Sequence, residues 1–249
     1  MYKLNNIPKK VHYCWFGRGK KPDIVHKCIS SWKKYLPDYE IIEWNEDNFD
    51  INENQYAKEA YESKKYAFVT DYVRLKVLYE YGGIYMDTDV EVIKNLDKFL
   101  HHSAFSGFET DDLIPTGIIG AKAGNNWIKK LLDYYNDKHF ILKDVSFDLT
   151  TNVIIITEIS KSMGYIGGGK YQEFGDGVAI YPFDYFCAKN DHTGEIIVSE
   201  NTHTIHHFSG TWQPLPNQIR RKIRKIIGNK AYNFIRDLLR GELNGKKNN

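Results

Sequence analysis

Two aspartates one residue apart, Asp87 and Asp89, follow the apolar triplet Ile84-Tyr85-Met86 and the glycine doublet Gly82-Gly83. On an extended backbone alternate side chains share a face, so the two carboxylates are expected to converge. Converging carboxylates repel unless a cation lies between them. A hard divalent ion, Mn²⁺ or Mg²⁺, satisfies them and can also bridge the oxygens of a diphosphate. Bound there, it would stabilise the charge that builds on a departing diphosphate. An Asp-x-Asp triplet alone is a weak signal, since turns with two solvated aspartates share it. The setting strengthens it: a strand that follows a glycine doublet and ends in two acids marks a place where backbone or ligand comes close.

A second pair lies upstream. Phe68, Tyr72, Leu75, Leu78 and Tyr79 recur at helical spacing, with Asp71 and Arg74 at the edge of that stripe. Three residues apart, Asp71 and Arg74 share a helix face. One reading is an exposed ion pair worth a few tenths of a kcal/mol. The other has Asp71 accepting hydrogen bonds from a ribose or sugar hydroxyl, and Arg74 meeting a phosphate or sugar oxygen.

Positioning these groups requires a sheet. Lys9 to Phe16 read as a buried strand ending at the turn Gly17-Arg18-Gly19. Pro22-Asp23 opens a helix with Ile24, Val25, Cys28, Ile29 and Trp32 on one face, and Tyr39 to Trp44 form the next strand. This strand–helix–strand unit implies a parallel pair. Residues 55–81 read as one or two helices. Val90 to Ile93, Ala104 to Phe108 and Gly117 to Ala121 read as strands, and Asn126 to Asp137 as a helix. Residues 150–163 stay open between helix and strand because of the β-branched run Val153-Ile154-Ile155-Ile156. The glycines at 167–169 and 175–177 flank an expected hairpin, and Val178 to Phe186 and Thr202 to Phe208 read as extended. The class is therefore α/β with a mixed sheet. In such sheets ligands bind at the carboxyl ends of the strands, where Asp87 and Asp89 fall.

The 249 residues, 42% hydrophobic and 27% charged, suffice for one large α/β domain or two small ones. Aromatics are high at 14%, which suits surfaces that bind rings or sugars and equally a biased genome. Cys14, Cys28 and Cys187 are widely spaced, so neither a zinc knuckle nor a disulfide framework is expected. No apolar leader core and no run long enough to span a membrane is visible, and a cytoplasmic location is the expectation. Net charge is +2, but from Pro216 onward ten Lys/Arg face two Asp/Glu. The chain thus divides into a domain at 1–215 and a basic tail at 216–249. In the tail Ile219, Ile223, Ile226 and Ile227, then Tyr232, Ile235, Leu238 and Leu239, lie at helical spacing among arginines and lysines. Such a stretch at 217–240 either lies on an anionic membrane, at its inner face, or docks on the domain with its basic side in water. The acidic body and the lack of a recognition motif exclude nucleic acid as the expected partner.

Three segments together resemble a known family. Ala67-Phe68-Val69-Thr70-Asp71-Tyr72-Val73-Arg74 and the following Leu78 to Asp89 resemble the signature of DXD-type glycosyltransferases. That group includes capsular-polysaccharide enzymes, the yeast initiating mannosyltransferase and the glucosylating clostridial toxins. The opening Ile7 to Gly17 and the closing His206-His207-Phe208-Ser209-Gly210-Thr211-Trp212 are similar to its two ends, in the same order. The resemblance implies a GT-A fold, a Rossmann-like mixed sheet flanked by helices, and a nucleotide-sugar donor, UDP in preference to GDP. It implies that Trp15 stacks on the base, that Asp71 and Arg74 hold the donor sugar, and that Gly83, Tyr85 and Ser209 belong to the donor site. Asp87 would touch ribose and metal, Asp89 the metal, and Trp212 the leaving phosphate. His207 fits a third metal contact by spacing, with His206 the adjacent alternative, since only one of the pair can face the ion. A histidine ligand favours Mn²⁺ over Mg²⁺. Thr116 and Gly117 match an acceptor-side position only loosely and stay outside the expected site. The acceptor would be a glycan or lipid-linked oligosaccharide of surface polysaccharide synthesis. Retention through a front-face reaction is the family's pattern.

Two other classes compete. Haloacid-dehalogenase-like phosphohydrolases also place Asp-x-Asp after a strand, but Asp87-Thr88-Asp89-Val90-Glu91 lacks their fifth-position Thr or Val, and it follows two strands instead of opening the fold. A non-catalytic sugar-nucleotide or glycan-binding module has no need of an intact acid pair.

Overall fold

A computed structural model describes residues 6–190 and 193–210. The trailing segment, with Trp212 and the basic stretch at 217–240, lies outside the described residues, and so does the expected boundary at 215.

The opening unit forms as the hydrophobic pattern requires. Strand β1 (Lys10–Cys14) leads through helix α1 (Asp23–Tyr35) to strand β2 (Glu40–Trp44), and β1 and β2 pair in parallel, Lys10 beside Glu40. Helices α2 (Gln55–Glu62) and α3 (Tyr66–Tyr81) follow, then strand β3 (Gly83–Met86), which lies parallel to β1 on its other side. Beyond β3 come the short β4 (Val90–Val92), β5 (Ala104–Gly107), β6 (Ile118–Ala121), helices α4 (Asn126–Asp133) and α5 (Asn152–Lys161), and the hairpin β7 (Gln172–Phe174) and β8 (Val178–Tyr181). A short helix α6 (Phe183–Phe186) and strand β9 (Thr204–His206) complete the described part. The main sheet has seven strands in the order β2-β1-β3-β6-β5-β8-β7, and β4 pairs with β9 in a separate two-stranded ribbon. Parallel and antiparallel pairs coexist, as a mixed sheet demands.

Alternation along β3 sorts the core. Ile84 and Met86 point to the layer that holds Cys28 and Trp32 of α1, while Tyr85 points to the layer under α3. Trp32 is fully buried and its indole N–H donates to Val90 O at 2.7 Å, which ties α1 to the start of β4. Helix α3 is buried on nearly every side, including Asp71 and Arg74, because α2 and α4 cover its outer face. The expected stripe therefore has no exposed edge, and a solvated surface ion pair at Asp71 and Arg74 is ruled out.

Several local readings change. Residues 152–161 form helix α5: Ile155, Ile156 and Ser160 pack inward, and the Trp127 indole N–H donates to Ser160 Oγ at 2.9 Å. Tertiary packing overrides the β-branched preference. Val178 to Phe186 is not one extended run, since Pro182 ends β8 and the next residues turn into α6. Gly82 and Gly83 have φ of +61° and +118°, values that favour glycine. A Cβ on Gly83 would stand 2.9 Å from both Lys10 O and His12 Nε2. The doublet lets the chain leave α3 and enter the sheet against β1.

Glu59 pins a long connection to α2. Its Oε2 accepts the N–H groups of Phe140 and Ile141 at 2.8 and 2.9 Å, and its Oε1 meets Gln55 and His139. Burial alone would raise its pKa, but these donors outweigh it and bring the group from 4.5 down to about 2. A depressed carboxylate contributes stability above its unfolded pKa, and the contribution disappears as pH falls through the folded value. Glu59→Ala, which orphans two buried N–H groups, is expected to cost about 2–4 kcal/mol. The unfolding midpoint should then drop by about 4–16 °C at neutral pH. Thermal scans should find that gap closing between pH 4.5 and about 2.

Candidate active site

The acid pair does converge, but not by strand alternation. Strand β3 ends at Met86, and Asp87 to Val90 form a turn in which the Val90 N–H donates to Asp87 O at 3.0 Å. The turn swings Asp89 back beside Asp87. The Asp87 N–H is held by Gly117 O at 2.9 Å, so the loop entering β6 fixes the start of the turn. Antiparallel pairing of β9 with β4 puts His206 opposite Val90. One ligand atom each from Asp87, Asp89 and His206 then lies within 4.8 Å of the others.

This arrangement corrects the preference for His207. His206 Nε2 lies 3.2 Å from Asp89 Oδ1, whereas His207 Nε2 lies 2.7 Å from Glu91 Oε2, which Lys27 also meets at 2.6 Å. Neighbouring residues of an extended segment face opposite ways, and the register chooses His206. The other partners of Asp89 are also local: its Oδ2 accepts the Ser209 N–H at 2.7 Å, and its backbone O accepts the His207 N–H at 2.9 Å. Burial works against ionised Asp89, but the charge and hydrogen bond of His206 and the Ser209 N–H outweigh it and hold the carboxyl well below the usual range. Ser209 thus enters through its backbone N–H, with its side chain also acting on Asp89.

Beneath the pair sits a buried network. Tyr85, fully buried, donates its hydroxyl to Asp87 Oδ1 at 2.9 Å. The Arg74 guanidinium lies over the Tyr85 ring at 4.7 Å, an arrangement that favours the cation. Its N–H groups are largely committed: Nε to Thr70 O at 3.2 Å, Nη1 to Thr116 O at 2.9 Å, and Nη2 to Asp71 Oδ1 at 2.9 Å. Nη1 also lies 3.4 Å from Asp87 Oδ1. Asp71 Oδ1 receives a further bond from Asn152 Nδ2 at 3.2 Å. Burial pushes the Asp71 carboxyl up to about 6; the Arg74 charge works against that, and the Asp87 charge adds to it. Arg74 therefore joins Asp71 to Asp87, and Asp87 is the member of the three whose side chain keeps most exposure, at 23%.

Trp15 lies just past the end of β1, half-buried, with its indole N–H on Gly19 O at 2.7 Å and Lys21 over the ring at 5.7 Å. It is not a core residue. Among the expected site residues, Gly83 is the one that the structure separates from the rest. It starts β3, packed on Lys10 and His12, about 10 Å of strand away from Met86. Its backbone geometry explains the glycine without a ligand. Asn152, Thr116 and Gly117 were missing from the expected site. Asn152 is 81 residues from Asp71, and Thr116 and Gly117 act through carbonyl oxygens, which carry no side-chain signature.

The donor set fits a divalent cation. Two carboxylates and an imidazole converge, and this mixed O/N set suits a divalent ion such as Mn²⁺. His206→Gln should lower Mn²⁺ affinity at least 10- to 100-fold, roughly what a lost supporting group costs a metal site. His207→Gln should leave it within about twofold, as expected of a group outside the ligand set. Calorimetric Mn²⁺ titration distinguishes the two.

Residues 22–106 match the family model described as the glycosyltransferase sugar-binding region containing a DXD motif. The matched range covers Asp71, Arg74, Asp87 and Asp89 and leaves Trp15 and His206 outside. The chain is 29% identical over 133 residues to inositol phosphoceramide mannosyltransferase 3 of Schizosaccharomyces pombe, covering 51% of this chain and 36% of that protein. It is 27% identical over 202 residues to subversion of eukaryotic traffic protein A of Legionella pneumophila, covering 66% of this chain and 31% of that protein. The chain thus spans about a third of the length of these curated relatives. Among solved structures, the PaToxG glycosyltransferase aligns with a TM-score of 0.49 at 19% identity, over 64% of this chain and 70% of that one. The likeness to the DXD-containing glycosyltransferases thus rests on residues 22–106, the stretch that carries Asp71, Arg74, Asp87 and Asp89.

Proposed function

We propose that the chain is a metal-dependent glycosyltransferase of the GT-A type that takes a hexose from a nucleotide-diphosphate sugar. The observation that carries this reading is the convergence of Asp87, Asp89 and His206 at the carboxyl end of β3, with Asp71 and Arg74 buried alongside. A bound Mn²⁺ or Mg²⁺ would supply charge stabilisation for the leaving diphosphate. The protein's own groups do the rest. Asp89 and His206, the more buried ligands, would hold the cation together with Asp87. Asp87, the more exposed acid, faces the donor. Asp71, fixed through one carboxylate oxygen by Arg74 and Asn152, presents the other to a sugar hydroxyl. The Ser209 N–H keeps the Asp89 carboxylate oriented.

UDP is the favoured nucleotide and GDP the other candidate. Trp15 offers a half-buried aromatic face at the same end of the sheet as Asp87, which suits a base. Trp15→Ala should weaken nucleotide binding by about 1–3 kcal/mol, the worth of one stacked base. That is roughly 5- to 150-fold in Kd, read by titration with UDP. The acceptor is proposed to be a glycan or lipid-linked oligosaccharide, and transfer to retain anomeric configuration. The basic stretch at 217–240 is proposed to hold the enzyme on an anionic membrane surface on the cytoplasmic side. No described helix is long and apolar enough to cross a membrane.

The test is release of nucleotide from a panel of UDP- and GDP-sugars in Mn²⁺ or EDTA. Mn²⁺-dependent release from one donor supports the reading and identifies the sugar. Turnover of phosphate monoesters without release from any sugar nucleotide would return the phosphohydrolase reading, and glycan binding without turnover the binding module.

A further inference from the structure

Apart from Asp89, His206 is held mainly by packing, with the buried Cys187 thiol its other polar neighbour. Its Nδ1 is buried and has no hydrogen-bond partner among the described residues. The Phe208 ring lies along one face, with centroids 4.0 Å apart and planes inclined by 32°. Against Nδ1 lies the backbone of Gly117, where the chain enters β6. A Cβ built on Gly117 would stand 2.8 Å from Nδ1, 3.0 Å from Cε1 and 3.3 Å from Cγ of His206. Contacts that short force the ring to move, because cores are packed without slack. Gly117 is not among the residues with positive φ, so alanine meets no backbone penalty there. Space alone demands glycine at this position. The same residue also fixes the acid pair, through its carbonyl on the Asp87 N–H at 2.9 Å.

We propose that Gly117 is a positioning residue of the metal site: its missing side chain lets the His206 imidazole lie back against the backbone, and this depth sets where Nε2 stands relative to Asp87 and Asp89. The proposal rests on the reading of these three residues as metal ligands and adds a fourth residue that never touches the ion. A methyl group at this position would push the ring off its seat, so the effect on the ligand set should resemble loss of a supporting group.

The experiment is Mn²⁺ titration of the full chain as wild type, Gly117→Ala, His206→Gln and the double variant, with folding checked by circular dichroism. Gly117→Ala is expected to lower Mn²⁺ affinity about 10- to 100-fold. In the His206→Gln background the same change is expected to add less than about twofold, because its effect runs through the ring. Wild-type affinity in Gly117→Ala, or an equal loss in both backgrounds, overturns the proposal. If Gly117→Ala fails to fold, the double variant should fold again, since the clash partner is gone; a double variant that also fails to fold overturns it. If wild type binds no Mn²⁺, the metal reading fails separately. The steric claim is then read in the metal-free chain from the ¹⁵N ring signals of His206, which should shift in Gly117→Ala while those of His207 stay, and unchanged His206 signals overturn it.

Discussion

Asp89→Asn is expected to reduce Mn²⁺-dependent nucleotide release by about 10³-fold or more, and also to lower the unfolding midpoint, because it breaks the buried pair with His206. The substitution keeps the shape of the side chain and an oxygen for the Ser209 N–H, which is bonded at 2.7 Å in the wild type. What it removes is the charge that draws a cation toward His206 Nε2, 3.2 Å away. A metal contributes several kcal/mol of stabilisation to a departing diphosphate. At about 1.4 kcal/mol per decade, losing some 4 kcal/mol of it gives the thousandfold loss. Steady-state release assays over a Mn²⁺ series check the magnitude. If excess Mn²⁺ restores most of the rate, Asp89 sets affinity only and Asp87 carries the greater share.

Arg74→Met should produce a large loss of stability. The guanidinium, 5% exposed, separates two carboxylates that face the same interior, Asp71 at 2.9 Å and Asp87 at 3.4 Å. Breaking a buried pair by removing one partner costs about 3–5 kcal/mol because the other charge is left uncompensated. For a chain of this size that is about 6–20 °C in the unfolding midpoint. Met fills similar volume against the Tyr85 ring, so the loss is electrostatic and not a cavity. Asp71→Asn in the same chain should recover part of the stability, because it removes the orphaned charge. A double-mutant cycle should return a coupling of about 1–3 kcal/mol, the range for residues in direct contact. Simple additivity would mean that Arg74 acts mainly through Thr70 O and Thr116 O. Activity should fall in both single variants, since Asp87 and Asp71 lose their common anchor.

How much of this was legible beforehand depends on the range of the interactions. The β1–α1–β2 unit was readable because its hydrophobic periods are local and uninterrupted, and the parallel pairing follows from the crossover. The acid pair was readable as chemistry, but the turn that joins Asp87 to Asp89 was not: an Asp-Thr-Asp triplet is compatible with strand or turn, and the Asp87 N–H is held by Gly117 O of the loop entering the neighbouring strand β6, which is distant in sequence. The same limit explains His206 against His207. Alternation guarantees that one faces the acids, and only the register of β9 on β4 says which. Gly83 drew a ligand-binding role because glycine near an acid pair suggests close approach; the approach is real, but it is to Lys10 and His12 of β1. Asn152 could not be anticipated, since its bond to Asp71 depends on residues 152–161 being a helix, and the β-branched run left that open.

The central claim is that Asp87, Asp89 and His206 form one cation site that shares its ion with a nucleotide diphosphate. Electron paramagnetic resonance of Mn²⁺ with the full chain, with and without UDP, tests it most directly. The account predicts that UDP strengthens Mn²⁺ binding by wild type, that the bound-ion signal changes when UDP is added, and that both effects vanish in Asp89→Asn and weaken in His206→Gln but not in His207→Gln. Mn²⁺ binding that is indifferent to UDP, or that survives in Asp89→Asn, would contradict it.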